Sequence, residues 1–184
     1  MEKRYEEYAY VLDYLQHGRA TVRPSYRAGA LVQLVGEEFF TLLEATVKES
    51  LILKLLDRVY VGKDSRDQIT YIIGRISYDE LTSAAKSELP GVLEKIVLNR
   101  QVWFINFFNS AQAITPRMHA LELIPGIGKK YMWQIINERD RLPFKTFDDL
   151  QQRASIPSPP KLIVKRVLEE LSGESKYRLF TRAP

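Results

Sequence analysis

The hydrophobic period of the chain changes near residue 77. Before that point, apolar and polar residues alternate in short runs, as they do in β-strands. After it, apolar residues recur at the three- and four-residue spacing of amphipathic helices. The pattern therefore predicts an α+β protein in which a β region comes first and an all-α region follows.

The β region contains several short runs with strand character. Tyr8, Tyr10 and Tyr14 share one register of the first run, although this tyrosine-rich segment is also compatible with a helix. The runs "LVQLVG" and "FFTLLEATV" meet at a tight turn near Gly36, and "DRVYVG" and "QITYIIGRISY" follow. Short strands at such close spacing predict a small barrel rather than a βαβ fold. We assign residues 1–76 to this small β domain.

The helical region carries start and stop signals. The segment "SYDE" begins at Ser77 with the Ser-x-x-Glu spacing of a capping box. Pro90 predicts a break between a first helix and the next one, which contains "VLEKIVLNRQVWFINFF". Thr115 followed by Pro116 predicts an N-cap with proline in the first turn, and Thr146 before "FDDL" predicts another N-cap.

The segment "LELIPGIGKKYMWQI" interrupts a helical pattern with one proline and two glycines. Pro125 predicts the end of the first helix, because a residue that precedes proline is excluded from the α region. Gly126 and Gly128 permit a positive φ or a close approach of the backbone to another group. Ile127 lies between them and is expected to fix the turn by inserting between the helices.

Lys129 and Lys130 follow the glycines, where a new helix is predicted to begin. The first N–H groups of a helix lack intrahelical partners and lie at the positive end of the helix dipole. Without side chains at the glycines, a phosphate is able to approach these donors closely. The candidate phosphate-binding residues are therefore Pro125, Gly126, Ile127, Gly128, Lys129 and Lys130.

The segment "LIPGIGKKYMWQIINER" resembles a helix-hairpin-helix motif, an element that binds nucleic acid without sequence specificity. The following "FKTFDDLQQRASIPSPPKLIVKRVLEEL" resembles the second half of a double helix-hairpin-helix domain. There "IPSPP" replaces the Gly-aliphatic-Gly turn, so we expect the second hairpin to pack more than it binds. Lys161, Lys165 and Arg166 are the residues of that side expected to contact a nucleic-acid backbone.

Nearly the whole chain is similar to an uncharacterised archaeal family of candidate RNA-binding proteins. The similarity is carried by "EEYAYVLDYL", "RVYVGK", "RISYDELTSAAKSELP" and "FFNSAQAITPRMHALELIPGIGKK". It implies RNA rather than DNA as the ligand, with ribosomal or transcription proteins as further partners. The implied segments are an OB-like domain (1–76), a helical connector (77–114), a double helix-hairpin-helix domain (115–172) and a C-terminal tail (173–184).

Positive charge is concentrated in the C-terminal third of the chain, which contains Gly126 and Gly128. Residues 116–184 carry 13 Lys and Arg against 8 Asp and Glu, a net charge of +5, although the whole chain carries only +4. A second basic stretch, residues 14–36, contains no acidic residue. It reads equally well as a solvated loop or as a loop that follows a single strand of nucleic acid by stacking and charge. Its candidate residues are Arg19, Arg23, Tyr26 and Arg27.

The aromatic run "VWFINFF" places Trp103 near Phe107, and Phe104 near Phe108, at the i,i+4 spacing of a helix. Such stripes serve as a base-stacking platform in some proteins. They belong more often to a hydrophobic core, and we favour the core for this run.

The chain shows little that indicates catalysis. It has no cysteine and two histidines, which argues against disulfides, thiolate chemistry and a metal centre, and no cofactor is expected. Helix-hairpin-helix glycosylases use an aspartate downstream of the hairpin, and Asp148 and Asp149 lie at a suggestive distance. Carboxylates in the first turn of a helix are, however, expected for capping alone. We predict a protein that is not an enzyme.

Two further expectations concern location and partners. The N-terminal residues are charged and lack the apolar core of a signal peptide, and no apolar run approaches ~20 residues. The sequence therefore predicts a cytoplasmic protein without a membrane partner. The main alternative to nucleic-acid binding is a protein-docking scaffold, since helix-hairpin-helix units also serve that role.

Overall fold

The computed structural model describes residues 5–18, 29–173 and 175–183 of the 184-residue chain. Within these ranges the chain forms strands β1 (Tyr8–Leu15), β2 (Leu31–Gly36), β3 (Leu42–Val47), β4 (Arg58–Tyr60), β5 (Ile69–Arg75), β6 (Ala113–Thr115) and β7 (Met118–His119). The helices are α1 (Ser83–Asn99), α2 (Gln101–Ser110), α3 (Lys129–Arg141), α4 (Phe147–Ala154) and α5 (Pro159–Ser172). Two short 3₁₀ helices, Tyr78–Glu80 and Ala120–Leu123, complete the set.

The chain divides into two compact units. The N-terminal unit combines residues 1–92 with residues 171–184, and the helical unit comprises residues 93–170. In the N-terminal unit, the C-terminal segment packs on the sheet region, since the guanidinium of Arg182 lies 3.5 Å from the ring centroid of Phe39. The division at 76, 114 and 172 that the sequence implied stays a prediction.

The main sheet is antiparallel and has the strand order β4-β1-β2-β3-β5. It curls into a half-barrel, which confirms the predicted α+β class. Every residue of β2 and β3 is buried, so both faces of the central strands are covered. The curl encloses a core of aliphatic residues, among them Val11, Val32, Leu34, Val59 and Ile69.

The strand predictions for the first half of the chain are confirmed. The tyrosine-rich run forms β1, and the helical alternative is wrong for the part of it that lies in Tyr8–Leu15. The turn near Gly36 joins β2 to β3, and the amide of Gly36 donates a hydrogen bond to the carbonyl of Thr41 at 2.8 Å. The local sequence was sufficient here because short runs of β-branched and aromatic residues bounded by turn residues favour strands.

A buried carboxylate closes this β2–β3 turn. Glu6 is only 6% exposed, and its side chain accepts hydrogen bonds from the amides of Glu38, Phe39 and Thr41 at 2.9 to 3.1 Å. A Cβ atom on Gly36 would overlap the Glu6 side chain, so the glycine leaves the space that this carboxylate fills. Burial raises the pKa of Glu6, and the three amide donors act against that rise.

Replacing Glu6 with glutamine should destabilise the protein by about 1–3 kcal/mol, because an amide NH₂ would face backbone N–H groups and leave a buried donor unsatisfied. The free energy of unfolding in urea measures this loss. Glu49→Gln is the matched control, since Glu49 is exposed and the same change there should cost less than about 0.5 kcal/mol. Equal stabilities for the two variants would show that the carboxylate is dispensable to the turn.

A buried polar network ties the sheet to the start of α1. The side-chain amide of Gln33 donates to the Glu44 carboxylate at 2.8 Å and to the carbonyl of Glu80 at 3.0 Å. The amide of Thr82 donates to the Gln33 side-chain oxygen at 2.9 Å, and the Thr82 hydroxyl donates to Asp13 at 2.6 Å. Fully partnered polar groups of this kind fix where the helix leaves the sheet.

The predicted helix break at Pro90 is wrong. Helix α1 runs without interruption through this proline, which is exposed. An interior proline costs about 3 kcal/mol, since it removes one backbone hydrogen bond and crowds the preceding turn. Leu89, Leu93 and Ile96 are fully buried on the same helix, and burial of each contributes about 1.5–3 kcal/mol. Burial of the apolar face therefore outweighs the local signal.

Of the three N-cap predictions, those at Ser77 and Thr146 are confirmed and the one at Thr115 is wrong. Thr115 does not begin a helix, because β6 pairs with β7 and the Thr115 hydroxyl accepts a hydrogen bond from the amide of Arg117 at 3.3 Å. The capping box at Ser77 is confirmed, although it begins a short 3₁₀ helix. Thr146 caps α4 as predicted, since its hydroxyl accepts from the amide of Asp149 at 3.0 Å.

Candidate nucleic-acid interface

The glycine segment forms a sharp corner at residues 124–130, immediately before α3. Ile124 and Gly128 are extended, whereas Gly126 has a φ of +89°. The amide of Ile127 donates to the carbonyl of Ile124 at 3.0 Å, which closes the turn. A positive φ of this size favours glycine, so Gly126 is required by the backbone itself.

Two features of the corner follow the sequence prediction and one departs from it. Ile127 is buried, as are Met132 and Ile135 of α3. The chain stops its helical course before Pro125, as predicted. The element before the corner, however, is the single 3₁₀ turn Ala120–Leu123, not a long α-helix, because the β6–β7 hairpin occupies the preceding residues.

The start of α3 presents backbone donors to solvent. Gly128 is the N-cap, and no side chain caps the helix. Among the residues that the structure describes, none accepts a hydrogen bond from the amides of Gly128, Lys129 or Lys130. All three residues are exposed. A Cβ atom on Gly128 would meet nothing within 4 Å, so the space beside this N-cap residue is open.

Cations flank the open amides. The Lys129 ammonium lies 3.8 Å from a carboxylate oxygen of Glu122, while the lysine side chain remains 74% exposed. A contact this long and exposed to water contributes less than about 1 kcal/mol. Both lysines therefore retain charge that an anion at the N-terminus of α3 would meet.

The second turn packs against the first. Helix α4 ends at Ser155 in the left-handed region, and Ser158 has a φ of +45° before α5 begins. A Cβ atom on Gly126 would lie 3.3 Å from a methyl group of Leu162, the fourth residue of α5. Lys161 and Lys165 are exposed on α5, next to the residue that meets the corner.

The prediction that Arg166 contacts a nucleic-acid backbone is wrong. Its guanidinium is buried, pairs with the buried carboxylate of Glu170 at 3.0 Å, and donates to the carbonyl of Leu123 at 3.3 Å. A buried arginine with these partners has no face left for a phosphate. It holds α5 to the 3₁₀ helix that precedes the corner.

Asp149 also has a structural role. Its carboxylate accepts from the amide of Lys145 at 3.0 Å and pairs with Arg153 at 3.2 Å. Arg153 in turn donates to the carbonyls of Glu138 and Leu142 at 2.7 and 2.6 Å, which satisfies the C-terminal end of α3. These contacts place Asp149 in the α3–α4 connection, in agreement with the capping interpretation. Asp148 is exposed in the first turn of α4.

The aromatic run on α2 is mainly core, as we favoured. Phe104 and Phe108 are fully buried, and Phe107 is half-buried. Trp103 departs from this interpretation because it is 44% exposed, with the guanidinium of Arg100 5.0 Å from its ring centroid. Arg19, Arg23, Tyr26 and Arg27 of the basic loop lie outside the described residues.

Sequence reasoning missed two residues near the corner. Trp133 on α3 is 57% exposed, one helical turn after the lysines. Its position opposite the buried stripe of Met132 and Ile135 is the signal that was available. His119 is the other, since its Nδ1 accepts from the amide of Leu121 at 3.1 Å and so caps the 3₁₀ helix before the corner.

The His119 cap should make stability depend on pH. Burial, together with the charge of Arg139, lowers the pKa of His119, so the folded protein favours the neutral ring that accepts from Leu121. The cap's contribution, about 1 kcal/mol, is present above the unfolded pKa of about 6.5 and is lost as the pH falls through the lower folded pKa. His119→Ala should therefore destabilise at pH 8, and the difference should close on acidification.

Urea unfolding of both proteins across this pH range measures the effect. His17→Ala is the control, because His17 is the other histidine of the chain and is exposed. A difference between wild type and His119→Ala that stays constant with pH would contradict a cap that depends on the neutral ring.

The described residues show neither a metal centre nor a membrane-spanning helix. No group of three or more His, Cys, Asp or Glu side chains is placed to hold a metal ion in residues 5–18, 29–173 and 175–183. None of the helices that the structure describes combines the length and apolar character needed to cross a bilayer.

The fold defines a class of α+β proteins in which a curled five-stranded half-barrel is followed by a helical unit. The chain belongs to the family described as "Protein of unknown function (DUF655)", whose model matches residues 5–182. This match confirms the predicted uncharacterised archaeal family. RNA binding, the OB-like barrel and the helix-hairpin-helix stay predictions.

Two relatives support the assignment. The chain is 41% identical over 182 residues to the uncharacterized protein MJ0038 of Methanocaldococcus jannaschii, covering 98% of this chain and 82% of the relative. The crystal structure of Af1531 from Archaeoglobus fulgidus is similar with a TM-score of 0.87 and 47% identity. That similarity covers 96% of this chain and 100% of the other.

Proposed function

We propose that this protein binds nucleic acid without catalysis and that its corner, residues 124–130, grips the sugar-phosphate backbone. The proposal rests on three exposed backbone amides, those of Gly128, Lys129 and Lys130. No described residue accepts a hydrogen bond from them. Amides at a helix N-terminus bind anions because the donors point outward and the helix dipole favours negative charge.

The surroundings of the corner favour a polyanion. Residues 116–184 carry a net charge of +5, and Lys161 and Lys165 lie on the helix that packs against Gly126. Repeated phosphates along one strand would meet several of these cations at once. Contacts of this kind position a strand without reading its bases, so we propose low sequence specificity.

We propose further that residues 115–172 act as a double helix-hairpin-helix unit. The glycine corner and the packing of Leu162 against Gly126 support two adjacent turns of unequal roles. The short 3₁₀ element before the corner is a departure from that motif. In the N-terminal unit, the strand order supports an OB-like fold.

RNA is the proposed ligand rather than DNA, with ribosomal or transcription proteins as further partners. This preference rests on the family resemblance and not on the geometry of the corner. A side-by-side titration with RNA and DNA oligonucleotides of the same sequence tests it.

A salt-dependent binding measurement tests the proposal as a whole. The fluorescence anisotropy of a labelled RNA is followed against protein concentration at several salt concentrations. The logarithm of the affinity should fall linearly with the logarithm of the salt concentration, by about 0.7 per neutralised phosphate for a single strand and about 0.9 for B-DNA. An absence of binding at low salt, or binding that salt does not weaken, would overturn the proposal.

A protein-docking scaffold is the second candidate, and one surface favours it. Leu98, Val102 and Trp103 are exposed apolar residues, and Val102 is 72% exposed. Clustered apolar exposure is typical of protein-interaction surfaces. If docking is the main role, Val102→Asp should disrupt a protein complex and leave oligonucleotide binding unchanged.

A further inference from the structure

We propose that Trp133 stacks on an unpaired nucleobase and that the ligand of the corner is therefore single-stranded at this point. The inference rests on the proposed function and names the strandedness of its ligand. Trp133 is 57% exposed. This is unusual for tryptophan, a large side chain that is mostly buried in folded proteins. No described residue makes a ring, cation or hydrogen-bond contact with it.

The position of the indole couples it to the corner. Trp133 lies four residues after Lys129 and three after Lys130, so all three side chains share one face of α3. Four residues of α-helix advance about 6 Å, which places the indole one turn beyond the open amides. If a phosphate of a nucleic-acid strand lies at the N-terminus of α3, the base next to that phosphate would be within reach of the Trp133 ring.

The chemistry of the face favours a base over an apolar protein segment. Lys129 and Lys130 are exposed on the corner side of Trp133, and Asn137 is exposed one turn beyond it. An indole flanked by cations and an amide is complementary to a nucleotide, because the base can stack on the indole and the phosphate can meet the cations. Trp103 differs because Phe104 lies 4.9 Å from it, centroid to centroid, and Arg100 lies over its ring.

Strandedness follows from stacking. In a continuous duplex, both faces of each base are covered by neighbouring bases, and no face is left for a side chain. Single strands, loops and ends expose these faces, which aromatic side chains then cover. The corner alone would bind phosphates of either form, so Trp133 is the residue that distinguishes them.

The chain offers a direct measurement because it has two tryptophans. In a Trp103→Phe background, Trp133 is the remaining tryptophan, and its emission reports on stacking. The probes are an oligouridylate of about 12 nucleotides and an RNA duplex of the same length. Anisotropy of labelled probes measures the affinity independently of the tryptophan signal.

We expect the oligouridylate to quench Trp133 emission and the duplex to leave it unchanged. Trp133→Ala should weaken oligouridylate binding roughly tenfold without changing the salt slope, because stacking neutralises no phosphate. Trp133→Phe should recover most of the affinity. Thermal unfolding of each variant checks that the exposed position tolerates the change.

The outcomes separate the two proposals. Binding of the oligouridylate without quenching, and with wild-type affinity in Trp133→Ala, overturns the stacking inference and leaves phosphate binding at the corner intact. Equal quenching by the duplex overturns the single-strand assignment. If neither probe binds at low salt, the proposed function fails and the stacking inference fails with it.

Discussion

Lys129→Glu combined with Lys130→Glu is expected to abolish salt-sensitive binding of nucleic acid and to leave the fold intact. Both lysines are exposed at the N-terminus of α3, and their only described ion pair is the 3.8 Å contact of Lys129 with Glu122. Each lysine that contacts a phosphate of a single strand contributes about 0.7 to the log–log salt slope, so any residual binding should show a slope smaller by about 1.4. The introduced carboxylates would also repel the phosphates and would themselves occupy the positive end of the helix dipole.

The stability of this variant should change little. Carboxylates in the first turn of a helix interact favourably with the dipole, by about 0.3–1 kcal/mol each. Urea unfolding therefore distinguishes loss of a site from loss of the fold. A stable variant that no longer binds would localise the phosphate contact to the corner.

Lys48→Glu combined with Lys54→Glu is the matched control. Both residues are exposed, lie in the N-terminal unit, and give the same change in net charge. If this control loses as much affinity as the corner variant, binding reflects net charge and not a site. If the corner variant keeps its affinity and slope, the docking candidate becomes the better account.

Strand and cap predictions succeeded where the signal and its partner lie close in sequence. The backbone hydrogen bond from Gly36 to Thr41 joins residues of one hairpin, and the Thr146 cap depends on an amide three residues later. Both require only local chemistry, which a sequence displays directly. They are also consistent with the packing around them, so nothing in the fold opposes them.

The predictions at Pro90 and Thr115 failed because burial and strand pairing outweighed the local helix signals. Burial of Leu89 and Leu93 keeps α1 helical through the proline. At Thr115, pairing of β6 with β7 takes the place of a helix. In both cases the local preference was real, of the order of 1–3 kcal/mol, and tertiary contacts exceeded it.

The candidate site shows the same division. The glycine corner could be predicted because its donors, its open space and its lysines are contiguous in sequence. Arg166 and Lys165 are adjacent and both basic, yet Arg166 is buried against Glu170 whereas Lys165 is exposed. Trp133 was missed although its helical position opposite Met132 and Ile135 was a signal, because the exposure of a tryptophan also depends on which helical faces the fold leaves uncovered.

The two glycines of the corner should respond oppositely to substitution. Gly126 has a φ of +89°, and a Cβ atom there would lie 3.3 Å from Leu162. Gly126→Ala should therefore lower the free energy of unfolding by about 1–3 kcal/mol. This loss would come from the fold, whether or not a ligand is present.

Gly128→Val should instead lower affinity and preserve most of the stability. Gly128 has a φ of −87° and a ψ of −171°, an extended conformation that valine adopts readily, and an added Cβ meets no atom within 4 Å. The cost at this N-cap should be about 1 kcal/mol. The isopropyl group would occupy the open space before the amides, so an approaching phosphate should lose roughly tenfold or more in affinity.

Urea unfolding and anisotropy titration on the same two variants measure both effects. The fold favours glycine at position 128 only as a helix N-cap, whereas a phosphate in contact with the amides would be a second reason, because glycine leaves that approach unobstructed. If Gly128→Val binds with wild-type affinity and salt slope, the amides of the corner do not contact the strand. The contribution of Lys129 and Lys130 would then be long-range attraction without a defined phosphate site.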